Sequence, residues 1–252
     1  MRTTTALLDA QPGIRHGFFG RQGGTSAPPY DSLNMALRTG DRREQVLANR
    51  AIVAAALDAR DLVVGRQVHG TTTVRVTAPW HPDEAPEADA LVTTVPGLAI
   101  AVTTADCAPV LLCDAETKVV AAVHAGWKGA LSGIVESAVA AMAQAGAVPA
   151  RIVAAVGPCI QRRSYQVGPE FQERFHAEDP ASDACFVTGR DGRPYFDLEA
   201  YVCLRLGRAG LRLVQASGLD TATQPERYFS YRRTTLAGGG PFGTQASAIL
   251  LA

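Results

Sequence analysis

The chain has 252 residues, 47% of them hydrophobic, 19% charged and 6% aromatic; that length suits one large domain, which holds a core without disulfides. Lys plus Arg and Asp plus Glu each total 24, so the formal net charge is zero, which argues against a general nucleic-acid or membrane-surface binder. The five cysteines are odd in number and scattered, and no apolar run approaches the roughly 20 residues that span a bilayer, so the composition points to a reduced, cytoplasmic protein with free thiols.

Met1-Arg2 is followed by threonines where a secretory leader has an apolar run. Residues 14–19 form a first strand candidate. The spacing predicts a helix over 41–57, with Asp41 as N-cap, Glu44 completing a capping box, and Val46, Asn49, Val53, Ala56 and Leu57 on one face. Two strands are expected at 62–68 and 72–77, with His69 and Gly70 at their join. Two more, 90–94 and 98–104, are separated by the turn signal Pro96-Gly97. Residues 110–113 and 119–123 read as a hairpin. A helix from Gly126 to about Gln144 follows, then a strand at 151–156, shorter helices at 169–176 and 198–209, and a closing strand at 246–251.

This order mixes hairpins with helical crossovers, which predicts an α+β (α/β) fold: one domain over 1–252, with mixed sheets flanked by helices. Loops 20–30 and 78–87 are excursions from that domain. The early strands carry no glycine-rich phosphate fingerprint, so the ordinary nucleotide-binding Rossmann reading is removed.

The hairpin places chemistry. With Cys113 opposite Lys118, the ladder brings Cys107 opposite His124, and facing residues lie about 4.5–5.5 Å apart. A one-residue slip would send them to opposite faces. A lone histidine at a strand end is usually structural, and a lone cysteine among Val, Leu and Ala is usually a small core hydrophobe. The pair points to a functional thiolate at the sheet rim. Spacing alone does not add His69.

Four segments change that. Gly65-Arg-Gln-Val-His-Gly70, Thr104-Ala-Asp-Cys-Ala-Pro109, Val123-His-Ala-Gly-Trp-Lys-Gly129 and Phe229-Ser-Tyr-Arg-Arg233 resemble the YfiH-type laccase-domain family, also called polyphenol oxidase or purine nucleoside phosphorylase. The likeness runs nearly end to end, through Gly23-Gly24-Thr25-Ser26, Asn49-Arg50 and Gly157-Pro158. It implies a layered sandwich in which His69, Cys107 and His124 bind one zinc. Two departures stand out: Lys128 where the family often has arginine, and Asp220 where it commonly has cysteine.

Three protein ligands leave a fourth position open, as in catalytic zinc sites and unlike structural ones. His₂Cys also suits copper, but five histidines in the chain are too few for the several ions of a true laccase, so a copper polyphenol oxidase is the disfavoured reading. The resemblance implies phosphorolysis of adenosine, inosine and methylthioadenosine, with adenosine deamination, and hence a purine nucleoside and phosphate as partners. Arg50, Arg66, Lys128, Arg232 and Arg233 are candidate phosphate contacts. Asn34 is a candidate for the base or ribose, and Asp106 for orienting a ligand or moving a proton. Trp127 either stacks on a purine or supports the helix start. Cys113, Cys185 and Cys203 read as packing residues, and Cys159 as a candidate for the pocket wall. The alternatives are a metal-free cysteine hydrolase using Cys107 and His124, including editing of peptidoglycan precursors, and a scaffold with structural zinc, which three ligands without a fourth disfavour.

Overall fold

The computed structural model describes residues 2–252. The chain opens with β1 (Arg2–Thr3), a short helix α1 (Ala6–Asp9) and β2 (Ile14–Phe19), followed by helix α2 (Arg43–Ala56). Strands β3 (Asp61–Val64), β4 (Thr73–Val76), β5 (Ala90–Thr93), β6 (Leu98–Thr104), β7 (Ala108–Asp114) and β8 (Val119–Ala125) come next. The remainder runs α3 (Trp127–Ser132), α4 (Ile134–Gln144), β9 (Val153–Val156) and α5 (Pro169–Glu178). Then come a small hairpin β10 (Phe186–Thr188) and β11 (Pro194–Phe196), α6 (Leu198–Arg208), β12 (Leu213–Ala216), α7 (Tyr231–Leu236) and β13 (Gln245–Leu251).

Two mixed sheets result, in the orders β1-β2-β13-β6-β3 and β12-β9-β7-β8-β5-β4. Three pairs are parallel (β3 with β6, β4 with β5, β12 with β9), and the rest antiparallel. The fold is the single-domain α+β arrangement of mixed sheets and flanking helices that the sequence predicts.

Strand periodicity builds the layers. In β6, Ile100 and Val102 pack between the sheets with Leu111, Val120 and Ile249, while Ala99 and Ala101 turn outward to meet Val53 of α2 and Leu57 just after it. In β7, Leu111 and Cys113 face the other sheet, and Val110 and Leu112 face Ile134, Ala138 and Met142 of α4. Both central strands are buried on two faces, so they read as continuous apolar runs. The order of layers is helix, sheet, sheet, helix. No helix among the described residues is long and apolar enough to cross a membrane.

Several sequence expectations are corrected. Helix α2 starts at Arg43, and Asp41 does not cap it; its carboxylate instead accepts from Ser26 Oγ and Asn34 Nδ2 at 2.6 and 2.9 Å, tying down the preceding loop. Ala56 lies exposed, off the buried face. The expected helix from Gly126 is two helices, broken at Gly133, whose φ of 101° a side-chain-bearing residue rarely adopts. The β7–β8 register is shifted by two residues: Pro109, not Cys107, faces His124. The turn is a four-residue loop in which Asp114 Oδ1 accepts from the amides of Glu116 and Thr117, a side-chain turn that outcompetes the tighter one. A shift of two preserves the face. Cys107 and His124 therefore still lie on one side.

The division of strands between the sheets sets the positions of two residues. The strands before and after His69 belong to different sheets, and so do those before and after Cys107. Both residues sit where the chain crosses from one sheet to the other, at the same end of the sandwich.

Candidate functional site

His69, Cys107 and His124 come together: one nitrogen or sulfur from each lies within 4.8 Å of the others, and this is the one such cluster of three among the described residues. Cys107 Sγ is 3.8 Å from His69 Nε2, and the two imidazoles meet edge to face at 4.7 Å between ring centroids. Tetrahedral zinc with nitrogen and thiolate ligands sets donor separations of roughly 3.3–3.6 Å. The donor set and its spacing therefore fit one such ion after a small contraction.

Backbone geometry makes the convergence. His69 and Asp106 both hold positive φ, 60° and 86°, a costly state for residues with side chains that tends to persist at functional sites. Gly126 lies across the ladder from Cys107, where a Cβ would stand 2.8 Å from His69 Cδ2 and 3.0 Å from Cys107 Sγ. Only glycine leaves room for both ligands.

Asp89 is the residue that sequence reasoning missed. Its side chain is fully buried, and four donors converge on it: Oδ1 takes His69 N at 2.9 Å and His124 Nδ1 at 2.8 Å, while Oδ2 takes Val68 N at 3.1 Å and Gly70 N at 2.8 Å. Burial raises its pKa, but the bonds from His124, Gly70 and Val68 prevail and hold it below the ordinary value. The available signal was an acidic residue set directly before the apolar run of β5, a place where charge is rarely buried without a partner.

Cys107 is half-buried and His124 buried. Burial alone would raise the thiol; the charge and hydrogen bond of His124, with help from His69, bring it down to about 6. Burial likewise works against the His124 imidazolium, and the charge of Cys107 and the bond to Asp89 push it up to about 9. Each group thus favours the charged form of the other.

His69 and Cys107 open onto a cavity of about 390 Å³ lined also by Trp127, Ile160, Tyr165, Leu198, Tyr231 and Arg232. Trp127 does double duty: it lines the cavity and packs on Phe171 at 4.9 Å. Cys159 is fully buried, and Ile160 takes its expected place in the wall.

The other candidates are distributed. Asp106 lies beside Cys107, but its carboxylate is committed, accepting from Thr221 Oγ1 at 2.5 Å, Ser230 Oγ at 2.9 Å and Arg232 N at 2.6 Å. It fastens the start of α7 to the ligand loop. Arg232 reaches the cavity; its Nη2 donates to Gln166 O. Arg233 spends its guanidinium on the carbonyls of Thr221, Ala222 and Tyr228. Asn34 is buried in hydrogen bonds to Thr39, Asp41, Ala36 and Thr244. Lys128 stands over the Trp127 ring. Arg50 and Arg66 line a second cavity, of about 260 Å³, with Arg38, Gln67 and Thr103. It is reached two residues earlier along the segments that carry His69 and Ala105. Asp220 is buried and accepts from Arg163 Nε and Ser164 Oγ, stitching residues 161–164 to the wall.

Residues 15–252 match the family described as multi-copper polyphenol oxidoreductase laccase. The chain is 43% identical over 232 residues to a purine nucleoside phosphorylase of Streptomyces coelicolor, covering 91% of this chain and 94% of that one. It is 38% identical over 220 residues to the purine nucleoside phosphorylase YfiH of Escherichia coli, covering 86% and 88%. Among solved structures, the Neisseria meningitidis protein NMB0706 superposes with a TM-score of 0.88 at 32% identity, over 100% of this chain and 98% of that one.

Proposed function

Because the chain belongs to the multi-copper polyphenol oxidoreductase laccase family, whose members similar to it carry the name purine nucleoside phosphorylase, we propose that it is a zinc-dependent enzyme of that activity, with adenosine deamination as a second reaction. Its substrates are adenosine, inosine and methylthioadenosine, with inorganic phosphate. The observation that carries the reading is the meeting of His69, Cys107 and His124 beside an aromatic-lined cavity. One cluster of three ligands among the described residues supports a single ion over several coppers. Five unpaired thiols support a reducing compartment.

Bound there, zinc supplies a Lewis acid with an open position. The chain's own residues do the rest. Asp89 fixes the His124 ring; Trp127, Tyr165 and Tyr231 offer flat faces to a purine; Arg232 brings positive charge into the same cavity. Arg50 and Arg66 are further phosphate contacts from the neighbouring cavity. Asp106 acts as a positioning residue, holding the Cys107 loop and α7 together.

Incubation of zinc-loaded protein with adenosine, with and without phosphate, followed by chromatography tests this. Adenine formed only with phosphate reports phosphorolysis, and inosine reports deamination. If neither product appears, the purine reading fails.

A second reading has its own support. Asp89, His124 and Cys107 stand in the order carboxylate, imidazole, thiolate that serves nucleophilic catalysis. A cysteine-type hydrolase, acting on amides such as peptidoglycan precursors, would use that order without metal. Turnover of a muropeptide precursor by chelator-treated protein, and not by the zinc form, favours it.

A further inference from the structure

The cavity beside His69 and Cys107 has a corner made of donors. Asp106, its one carboxylate, is consumed by Thr221, Ser230 and Arg232 N. Thr235 Oγ1 is turned to its own helix, donating to Tyr231 O. What remains is Arg232, with Nη2 on Gln166 O and the rest of its guanidinium uncommitted, and the hydroxyl of Tyr165, which no hydrogen-bonding group among the described residues pairs. Tyr231 also has a hydroxyl, but that residue is 57% exposed.

Tyr165 is fixed in place. Its ring lies edge-on to Phe171 and Phe196, at 6.1 and 5.9 Å between centroids, and the Arg232 guanidinium sits 5.5 Å from its centre. Burial, then the neighbouring Cys107 charge, raises its pKa, with Arg232 opposing, so the phenol keeps its proton. A protonated phenol and a guanidinium, beside a carboxylate already spent on Thr221, Ser230 and Arg232 N, complement an oxyanion.

We propose that Tyr165 is a further catalytic residue, whose hydroxyl, with Arg232, holds the phosphate nucleophile in the cavity beside His69 and Cys107. This rests on the phosphorolysis reading. In that reaction a phosphate oxygen bonds to the sugar C1′ as the C1′–N9 bond breaks. The electron pair leaves with the purine, and the proton brought by hydrogen phosphate ends on the base. A donor aimed at the phosphate aligns the attacking oxygen without entering the proton balance.

The test titrates inorganic phosphate into the zinc-loaded chain by calorimetry, for the native protein, Tyr165→Phe and, as a control, Tyr195→Phe. Loss of one hydrogen bond to a charged acceptor predicts phosphate binding about 10- to 100-fold weaker in Tyr165→Phe. The KM for phosphate rises to match, that for adenosine is unchanged, and Tyr195→Phe behaves as native. Melting temperature and zinc content check that the variant keeps its fold, and Arg232→Ala should show the same selective loss. Native phosphate affinity in Tyr165→Phe, a loss of adenosine affinity in its place, or no phosphate binding by the native protein overturns the proposal. Phosphate binding that depends on Tyr165 without any adenine release keeps the anion site but overturns its catalytic role together with the phosphorylase reading.

Discussion

Asp89 Oδ1 lies 2.8 Å from His124 Nδ1, with both side chains out of solvent. That contact fixes the imidazole with its Nδ1–H donating to the carboxylate, which leaves Nε2 as the ligand atom. The other bonds of the same carboxylate shape the turn that carries His69. One side chain thus orients two ligands that are distant in sequence.

Asp89→Asn should therefore damage the site more than its size suggests. An amide offers one acceptor oxygen where four donors arrive, and its NH₂ opposes backbone N–H groups. Leaving buried donors unpaired costs about 1–3 kcal/mol each, and losing such a support typically weakens metal binding by about 10- to 100-fold. Thermal unfolding and zinc competition against a chelator measure both effects; unchanged zinc affinity would refute the assigned role.

Cys107→Ser should abolish metal binding while leaving the fold. Elemental analysis is expected to fall from about one zinc per chain to near zero. Chelation of the native protein should remove activity, restored by adding zinc back, and should speed alkylation of Cys107. Retention of a full complement of zinc by the serine variant would remove Cys107 from the ligand set.

Gly126→Ala probes the close approach of the ligands. The added methyl meets His69 Cδ2 and Cys107 Sγ at 2.8 and 3.0 Å. His69 is exposed and can swing away, so the melting temperature of the metal-free protein should change little while zinc affinity falls. A variant that unfolds outright, or binds zinc as the native chain does, contradicts this.

His16 gives a pH dependence remote from the metal. It is buried, and its Nε2 accepts the amide of Thr5 at 3.0 Å, which requires the neutral ring. Burial lowers its pKa from 6.5, partly offset by Asp9 and reinforced by Arg2. An unfolded chain then binds more protons, so this contribution is fully present above pH 6.5 and is lost as pH falls through the lower folded value. Urea unfolding at a series of pH values from about 7.5 down to about 5 should show His16→Gln losing less stability on acidification than the native protein.

Much of the fold was legible because burial on two faces writes itself into β6 as an apolar run; its bounds at Leu98–Thr104, like those of β2 at Ile14–Phe19, are those expected from pattern alone. Sheet assignment was not. Pro96-Gly97 announces a turn, yet local signals do not say that β5 and β6 lie in opposite sheets. The shifted hairpin register came from Asp114, whose side chain builds a longer loop than composition suggests. Strand β12 was missed because it is short, at a sheet edge and half-exposed, and α7 because its helix has no buried face. At the site, Cys107 and His124 follow from one hairpin, whereas His69 needed the family resemblance and Asp89 needed coordinates. Its partners come from two segments that only the tertiary fold juxtaposes.

The placement of His69 and Cys107 on crossovers between the two sheets has a mechanical consequence. An ion shared by them and by His124 of β8 would rivet the corner of the sandwich, joining both crossover loops to a central strand. Stripping it should let that one end splay while the opposite end, closed by the Pro96-Gly97 turn, stays shut. Amide hydrogen exchange would then quicken around residues 66–70 and 105–107 and hold steady through the core of β6 and β7.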